Sequence, residues 1–137
     1  MEVRHPVDFQ EGAYDTGRFY EMARGMEELP EGQERCFGCY ELRLREAAEA
    51  AKQMRADYFT TTLSISPMKN AEKLNEIGER LAQEYGIRYL NSDFKKKNGY
   101  RRSVELSGKY GLYRQDYCGC VFSKRERERQ KAKAADQ

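Results

Sequence analysis

The 137-residue sequence has no tryptophan, three prolines and one histidine, His5, which stands in no catalytic spacing and reads as incidental. It contains no Ser-His-Asp set, no G-x-x-x-x-G-K-[ST] loop and no G-x-G-x-x-G, so hydrolase and mononucleotide-kinase readings lack support. Long apolar runs are also missing: no stretch approaches the roughly 18 residues needed to span a membrane. The N-terminus, Met-Glu-Val-Arg-His-Pro-Val, shows no basic start followed by an apolar run, and so no secretory signal. These absences predict a cytoplasmic protein with no membrane partner. Excess charge is lacking too, because a net charge of +2 names no partner by itself. With 39% hydrophobic against 35% charged residues, the core must be small and the helices two-faced. The length suits one domain, burying roughly 65–70% of its unfolded surface.

Cysteine is scarce but concentrated. All four cysteines fall in two pairs, Cys36-x-x-Cys39 and Cys118-Gly119-Cys120. In a reducing compartment, paired thiols are more often metal ligands or redox groups than structural disulfides. A C-x-x-C at a helix N-terminus sits where unpaired amides and the helix dipole favour thiolates. Such a pair can share a metal or cluster, act as a redox couple, or simply be buried. A disulfide across C-G-C would close a tight ring, and strained disulfides are oxidising and labile. Zinc ribbons pair two C-x-x-C motifs across roughly 15–20 residues, whereas 78 residues separate Cys39 from Cys118. Iron–sulfur clusters accept distant pairs more readily, which favours iron–sulfur or redox chemistry over zinc.

The rest of the chain reads as scaffold. Val3, Val7 and Phe9 suggest a weak strand over residues 2–9, interrupted by Pro6. Asp15 or Thr16 caps a short helix carrying Phe19, Tyr20, Ala23 and Met26. A Pro/Gly-punctuated loop then leads to a helix from about Phe37 to Met54, with Tyr40, Leu44, Ala47, Ala48 and Ala51 as its apolar stripe. Residues 57–62 read as a strand, and Leu74, Ile77, Gly78, Leu81, Ala82 and Tyr85 mark a helix from Asn70 that stops at Gly86. A strand over 87–90 and a helix from about Asn98 to Tyr110 follow. Residues 1–122 are expected to form one α/β domain with a mostly parallel sheet flanked by helices. Residues 123–137 are expected to be a polar, frayed helix or tail. Three short strands make a thin sheet, and none is the long apolar run of a doubly buried central strand.

Two further groups bear on function. Lys95, Lys96, Lys97, Arg101 and Arg102 place five cations in eight residues. Arg101 and Arg102 would lie in a first helical turn, where cations oppose the dipole by about 0.3–1 kcal/mol each. Phosphates at the site would offset that cost, so nucleic-acid contact stands beside a solvated surface as an explanation. Thr60, Thr61, Thr62, Ser64 and Ser66 follow the C-terminal end of a strand, where open α/β sheets bind ligands. Their hydroxyls can hold a nucleoside or phosphate, or satisfy the loop backbone and cap the next helix.

Four segments together resemble one family. Arg35-Cys36-x-x-Cys39-Tyr40-Glu41-Leu42-Arg43-Leu44, Tyr58-Phe59-Thr60-Thr61-Thr62-Leu63-x-Ile65-Ser66-Pro67-x-Lys69, Asp93-Phe94-Lys95-Lys96 and Gly111-Leu112-Tyr113-Arg114-Gln115-x-Tyr117-Cys118-Gly119-Cys120 look like the QueH-type epoxyqueuosine reductases. The likeness covers about Glu11 to Lys124. It implies an iron–sulfur oxidoreductase domain resembling the adenine-nucleotide alpha-hydrolase (HUP-like) fold, reducing epoxyqueuosine in the tRNA anticodon to queuosine. It further implies a 4Fe–4S cluster with Cys36 and Cys39 among its ligands, and Cys118 and Cys120 as a redox dithiol, with a second iron held there as the alternative. The cations at 95–102 would meet tRNA, Thr61, Thr62 and Ser66 the substrate, and an unidentified donor would supply electrons. The family's N-terminal strand ending in Cys-Cys has no counterpart before Cys36, so two cluster ligands are expected from a segment missing here. A non-catalytic zinc-binding nucleic-acid module, a metal-free thiol oxidoreductase and an inactive remnant of the reductase are the rival readings.

Overall fold

The computed structural model describes residues 7–12 and 16–136. Residues 7–12 carry no regular structure; the rest of the expected N-terminal strand, His5 and the Asp15 cap lie outside the described residues. The first helix, α1, spans Thr16–Ala23 and buries Ala23.

The second helix, α2, spans Glu34–Gln53 and begins about one turn earlier than its apolar periodicity indicates. Glu34 supplies an acid in the first turn, a favourable position against the helix dipole. Next to it in that turn, Arg35 reaches back and donates from Nη1 to the carbonyls of Met26, Glu27 and Leu29, anchoring the entry loop. At the other end, Arg55 adopts φ 54° and Ala56 N donates to Ala51 O at 2.9 Å, a left-handed stop made without glycine.

Strand β1, Tyr58–Phe59, is shorter than its sequence signal. Thr61 Oγ1 accepts from Leu63 N at 3.1 Å and draws the chain into a 3-10 turn over Leu63–Ile65. Helix α3, Ala71–Tyr85, follows the expected boundaries: Asn70 accepts from Lys73 N, and Gly86 takes φ 69°. Strand β2, Arg88–Tyr89, pairs parallel with β1 in the register Tyr58↔Arg88 and Phe59↔Tyr89. The architecture is therefore α/β, with a helix-flanked parallel sheet of two strands among the described residues.

The core lies where α2 and α3 cover one face of this sheet. Tyr40, Leu44 and Ala48 meet Leu74, Ile77 and Leu81 over Phe59 and Tyr89. Gly78 admits the Tyr89 ring, which a Cβ would strike at 2.4 Å. On the opposite face Tyr58 and Leu90 are each 51% exposed.

Helix α4, Gly99–Lys109, follows a turn in which Lys97 and Asn98 both have positive φ. Gly99 packs so close to the Phe94 carbonyl that a Cβ would overlap it. Helix α5 runs Val121–Ala135, so the polar stretch expected as a frayed helix or tail is helical over fifteen residues. Phe122 anchors it beneath Phe19 and Tyr20 of α1, at ring-centroid distances of 5.8 and 6.1 Å. Among the described residues no helix is long and apolar enough to cross a membrane.

Candidate active site

The start of α2 positions the first cysteine pair. Cys36 and Cys39 occupy its first and second turns; Cys36 is buried and Cys39 half-buried. Cys36 Sγ accepts from Gly32 N at 3.2 Å, so this thiol also caps the entry loop. Burial pushes the Cys39 thiol up, as does the charge of Cys118, while Arg43 and Lys69 act in the opposite sense. Cys39 thus feels both Cys36 and Cys118, and the two pairs share one electrostatic neighbourhood.

The second pair lies just ahead of α5. Cys120 is the N-cap residue of that helix, its Sγ accepting from Ser123 N at 3.3 Å. Ser123 completes the turn by accepting from Cys118 N at 3.0 Å through Oγ. Both thiols are free. The neighbouring Cys120 thiol, together with Lys69, outweighs burial and pulls the Cys118 thiol down to about 5. Cys120 is pushed up by its neighbour Cys118 and by partial burial.

Lys69 comes from the loop between the 3-10 turn and α3. Its side chain is 9% exposed, and Nζ donates to Cys118 Sγ at 3.0 Å. It also pairs with Glu31 at 3.3 Å and lies 5.8 Å from the centre of the Tyr40 ring. Burial works against the ammonium, but Cys118, Glu31 and Tyr40 overcome it and the net direction of its pKa is upward. Sequence reasoning did not single out Lys69 as functional. Its signal was its place at the end of the Tyr58-to-Lys69 segment of the family resemblance, in a stretch that otherwise reads as a hydroxyl-rich loop. Arg35, buried beside Cys36 and 5.2 Å from the Phe122 ring centre, was likewise not singled out.

Cys118 and Lys69 open onto a cavity of about 820 Å³ between the 63–69 loop, α4, the 112–119 loop and α5. Tyr100, Tyr113 and Tyr117 give it aromatic walls, and Ser66, Ser103 and Gln115 give it neutral polar groups. Arg114 lies 5.7 Å from the Tyr100 ring centre and donates to Ser107 Oγ at 3.0 Å. Of the hydroxyls expected to bind substrate, Ser66 lines the cavity. Thr61 Oγ1 serves the loop backbone, and Thr62 caps the 3-10 turn without a side-chain bond.

The basic run divides. Lys95 turns inward, donating to the carbonyls of Ser64 and Lys69 and pairing with Asp93 at 3.1 Å. Lys96, Lys97, Arg101 and Arg102 are exposed. Arg101 and Arg102 both pair with Glu105 at 3.4 Å, and the Lys96 pair with Asp93 is long, at 3.9 Å.

Four thiols are soft donors suited to iron or zinc. Among the described residues, however, no three Cys, His, Asp or Glu side chains converge to hold a metal ion. Cys36 and Cys39 fit part of an iron–sulfur ligand set, which needs four thiolates. Cys118 accepts from Lys69, and Cys120 caps α5.

Comparison with known proteins points the same way as these pairs. The sequence matches the model of the family described as epoxyqueuosine reductase QueH over residues 1–126. It is 46% identical over 117 residues to the epoxyqueuosine reductase QueH of Streptococcus pyogenes serotype M1, covering 85% of this chain and 46% of that protein. It is 44% identical over 119 residues to the Staphylococcus epidermidis protein of the same name, covering 85% and 50%. With the Thermotoga maritima protein the identity is 36% over 124 residues, covering 88% and 65%. The chain spans about half the length of the first two relatives. It belongs to the epoxyqueuosine reductase QueH family.

Proposed function

We propose that this chain carries the dithiol and the substrate cavity of an epoxyqueuosine reductase acting on the tRNA anticodon. The observation that supports this most directly is Cys118, set in the cavity wall with Lys69 on its sulfur and Cys120 as its partner. Converting an epoxide to an alkene breaks two C–O bonds, forms one C=C bond and releases the oxygen as water. That reaction consumes two electrons and two protons. Oxidation of Cys118 and Cys120 to a disulfide releases the same number of each. A strained C-x-C disulfide is easily reduced again, which suits a pair that must be recharged by an outside donor after each turnover.

The cavity's size falls within the roughly 300–1,000 Å³ typical of ligand pockets. A nucleotide turned out of the anticodon loop is read by stacking on aromatic rings and by hydrogen bonds to its edges. Tyr100, Tyr113 and Tyr117 supply the rings, and Ser66, Ser103 and Gln115 the polar groups. Lys96, Lys97, Arg101 and Arg102 would meet RNA phosphates, whereas Lys95 is occupied within the fold. Cys36 and Cys39 would be two ligands of a 4Fe–4S cluster, which when bound supplies one-electron transfer.

The test is reduction of an anticodon stem-loop carrying epoxyqueuosine, read as released nucleosides by mass spectrometry. C118S and C120S should each lower product formation by about 100-fold or more while RNA binding persists. Full turnover by C118S would refute the assignment.

A further inference from the structure

Where α4 ends, the chain turns back on it. Gly111 takes φ 62°, Leu112 N donates to the Ser107 carbonyl at 2.8 Å, and Gly111 N donates to the Gly108 carbonyl at 3.4 Å, a Schellman stop. The returning segment brings Arg114 against Tyr100, Ser103 and Ser107, which share one face of α4 at i, i+3, i+7 spacing and line the cavity with it. Arg114 Nη1 donates to Ser107 Oγ at 3.0 Å, and that hydroxyl donates in turn to the Ser103 carbonyl at 2.8 Å. The guanidinium lies over the Tyr100 ring, 5.7 Å from its centre. Neutral groups alone therefore hold this cation. The other two cations in the cavity wall have carboxylates: Lys69 pairs with Glu31 and Arg127 with Asp116, each at 3.3 Å. Asp116 is shared with Lys131 at 2.6 Å. Among the described residues Arg114 pairs with no carboxylate, and its Nε and Nη2 donate to no protein atom.

We propose that Arg114 is the phosphate clamp of this cavity, its Nε–Nη2 edge gripping one of the two phosphodiesters that flank the nucleotide turned into it. The inference rests on the reading of the cavity as a nucleotide site and adds to it the residue that fixes the backbone. The Nε–Nη2 edge of a guanidinium presents two parallel N–H donors, the spacing that two phosphate oxygens accept. Its planar fork is already held by Tyr100 and Ser107, so little freedom is lost when the anion arrives. Phosphate contacts set register and orientation, while base contacts carry identity. Arg114 is accordingly a positioning residue: it sets how far the base enters, and the tyrosines, Ser66 and Gln115 meet the base itself. Lys96 and Arg101 differ from it, because each has a carboxylate partner of its own in Asp93 or Glu105.

The experiment is a binding cycle read by fluorescence anisotropy. Its RNAs are an anticodon stem-loop carrying epoxyqueuosine and two copies in which a neutral methylphosphonate replaces the phosphate 5′ or 3′ of that nucleotide. The wild type should bind one of the two substituted RNAs about 10-fold or more weakly, and R114M should bind the all-phosphate RNA with a similar loss. R114M with that same substituted RNA should lose no more than either change alone, as expected of two groups that act on each other. R114K, which keeps a charge but not the fork, should fall between wild type and R114M. A merely structural arginine would instead weaken all three RNAs alike. Losses that add at both flanking phosphates overturn the proposal, as does wild-type binding that neither methylphosphonate alters. If R114M does not fold, R114K decides through the same cycle: a loss that shrinks on one substituted RNA supports the clamp, and a loss equal on all three overturns it. A wild type that binds none of the stem-loops overturns the nucleotide site and the clamp together, whereas sound binding without coupling counts against Arg114 alone.

Discussion

At the scale of single residues, two helical glycines differ in what surrounds them. A Cβ on Gly38 would meet Met22 Sδ at 2.4 Å, and one on Gly78 would meet the Tyr89 ring at the same distance. Methionine is unbranched and can move aside. The Tyr89 ring cannot, because its hydroxyl donates to Asn75 Oδ1 at 2.9 Å and the ring packs against Phe59 at a centroid distance of 5.1 Å. Alanine gains about 1 kcal/mol over glycine in a helix interior, while overpacking a core costs about 1–3 kcal/mol. G38A should therefore be neutral or slightly stabilising in urea denaturation, and G78A destabilising by about 1–2 kcal/mol. Gly78 was legible as part of a buried stripe, because the 3.6 period places it there. Lys69 and Glu31 were not legible as a pair, since 37 residues lie between them and only the tertiary fold joins them at Cys118. No period or spacing carries such a contact.

At the scale of elements, helices were read well and strands poorly. The bounds of α3 follow from a cap, a stripe and a glycine, all local signals. β1 is shorter than its run of aromatic and β-branched residues, because Thr61 bonds the loop instead of the sheet. α5 has almost no apolar face; its buried anchors, Phe122 and Ser123, lie in the first turn beside the Cys120 cap, and Arg127 and Lys131 pair with Asp116 further along. Sulfur accepts the Ser123 amide in that cap, and a serine oxygen is among the preferred N-cap groups. C120S should therefore preserve α5 while removing the redox partner, whereas C120A should lose about 1 kcal/mol relative to C120S. Urea unfolding of the two variants would measure the difference. Equal stabilities would mean that the cap contributes nothing to α5.

At the scale of the whole molecule, a net charge of +2 conceals a local asymmetry. The sequence showed five cations around Asn98, and the fold sorts them. Lys95 is bonded to two carbonyls and Asp93, so K95A should cost about 1.5–3 kcal/mol of stability, in the range of hydrogen bonds to charged groups. Lys96 and Arg101 each have side chains 78% exposed and only surface ion pairs to give up, and such pairs contribute about 0–1 kcal/mol. A surface of this kind can meet an RNA backbone at little cost to the fold. Each phosphate contact releases condensed counterions, giving a log–log salt slope of about −0.7 per contact for single strands. K96A and R101A should each weaken binding of an anticodon stem-loop and make that slope shallower by about 0.7–1, with the melting profile unchanged. K95A should do the reverse, lowering the melt and leaving the slope as it was. A fluorescence-anisotropy titration from 50 to 200 mM salt separates the two patterns. If K96A and R101A bind with wild-type affinity and slope, the RNA does not cross this face of the molecule.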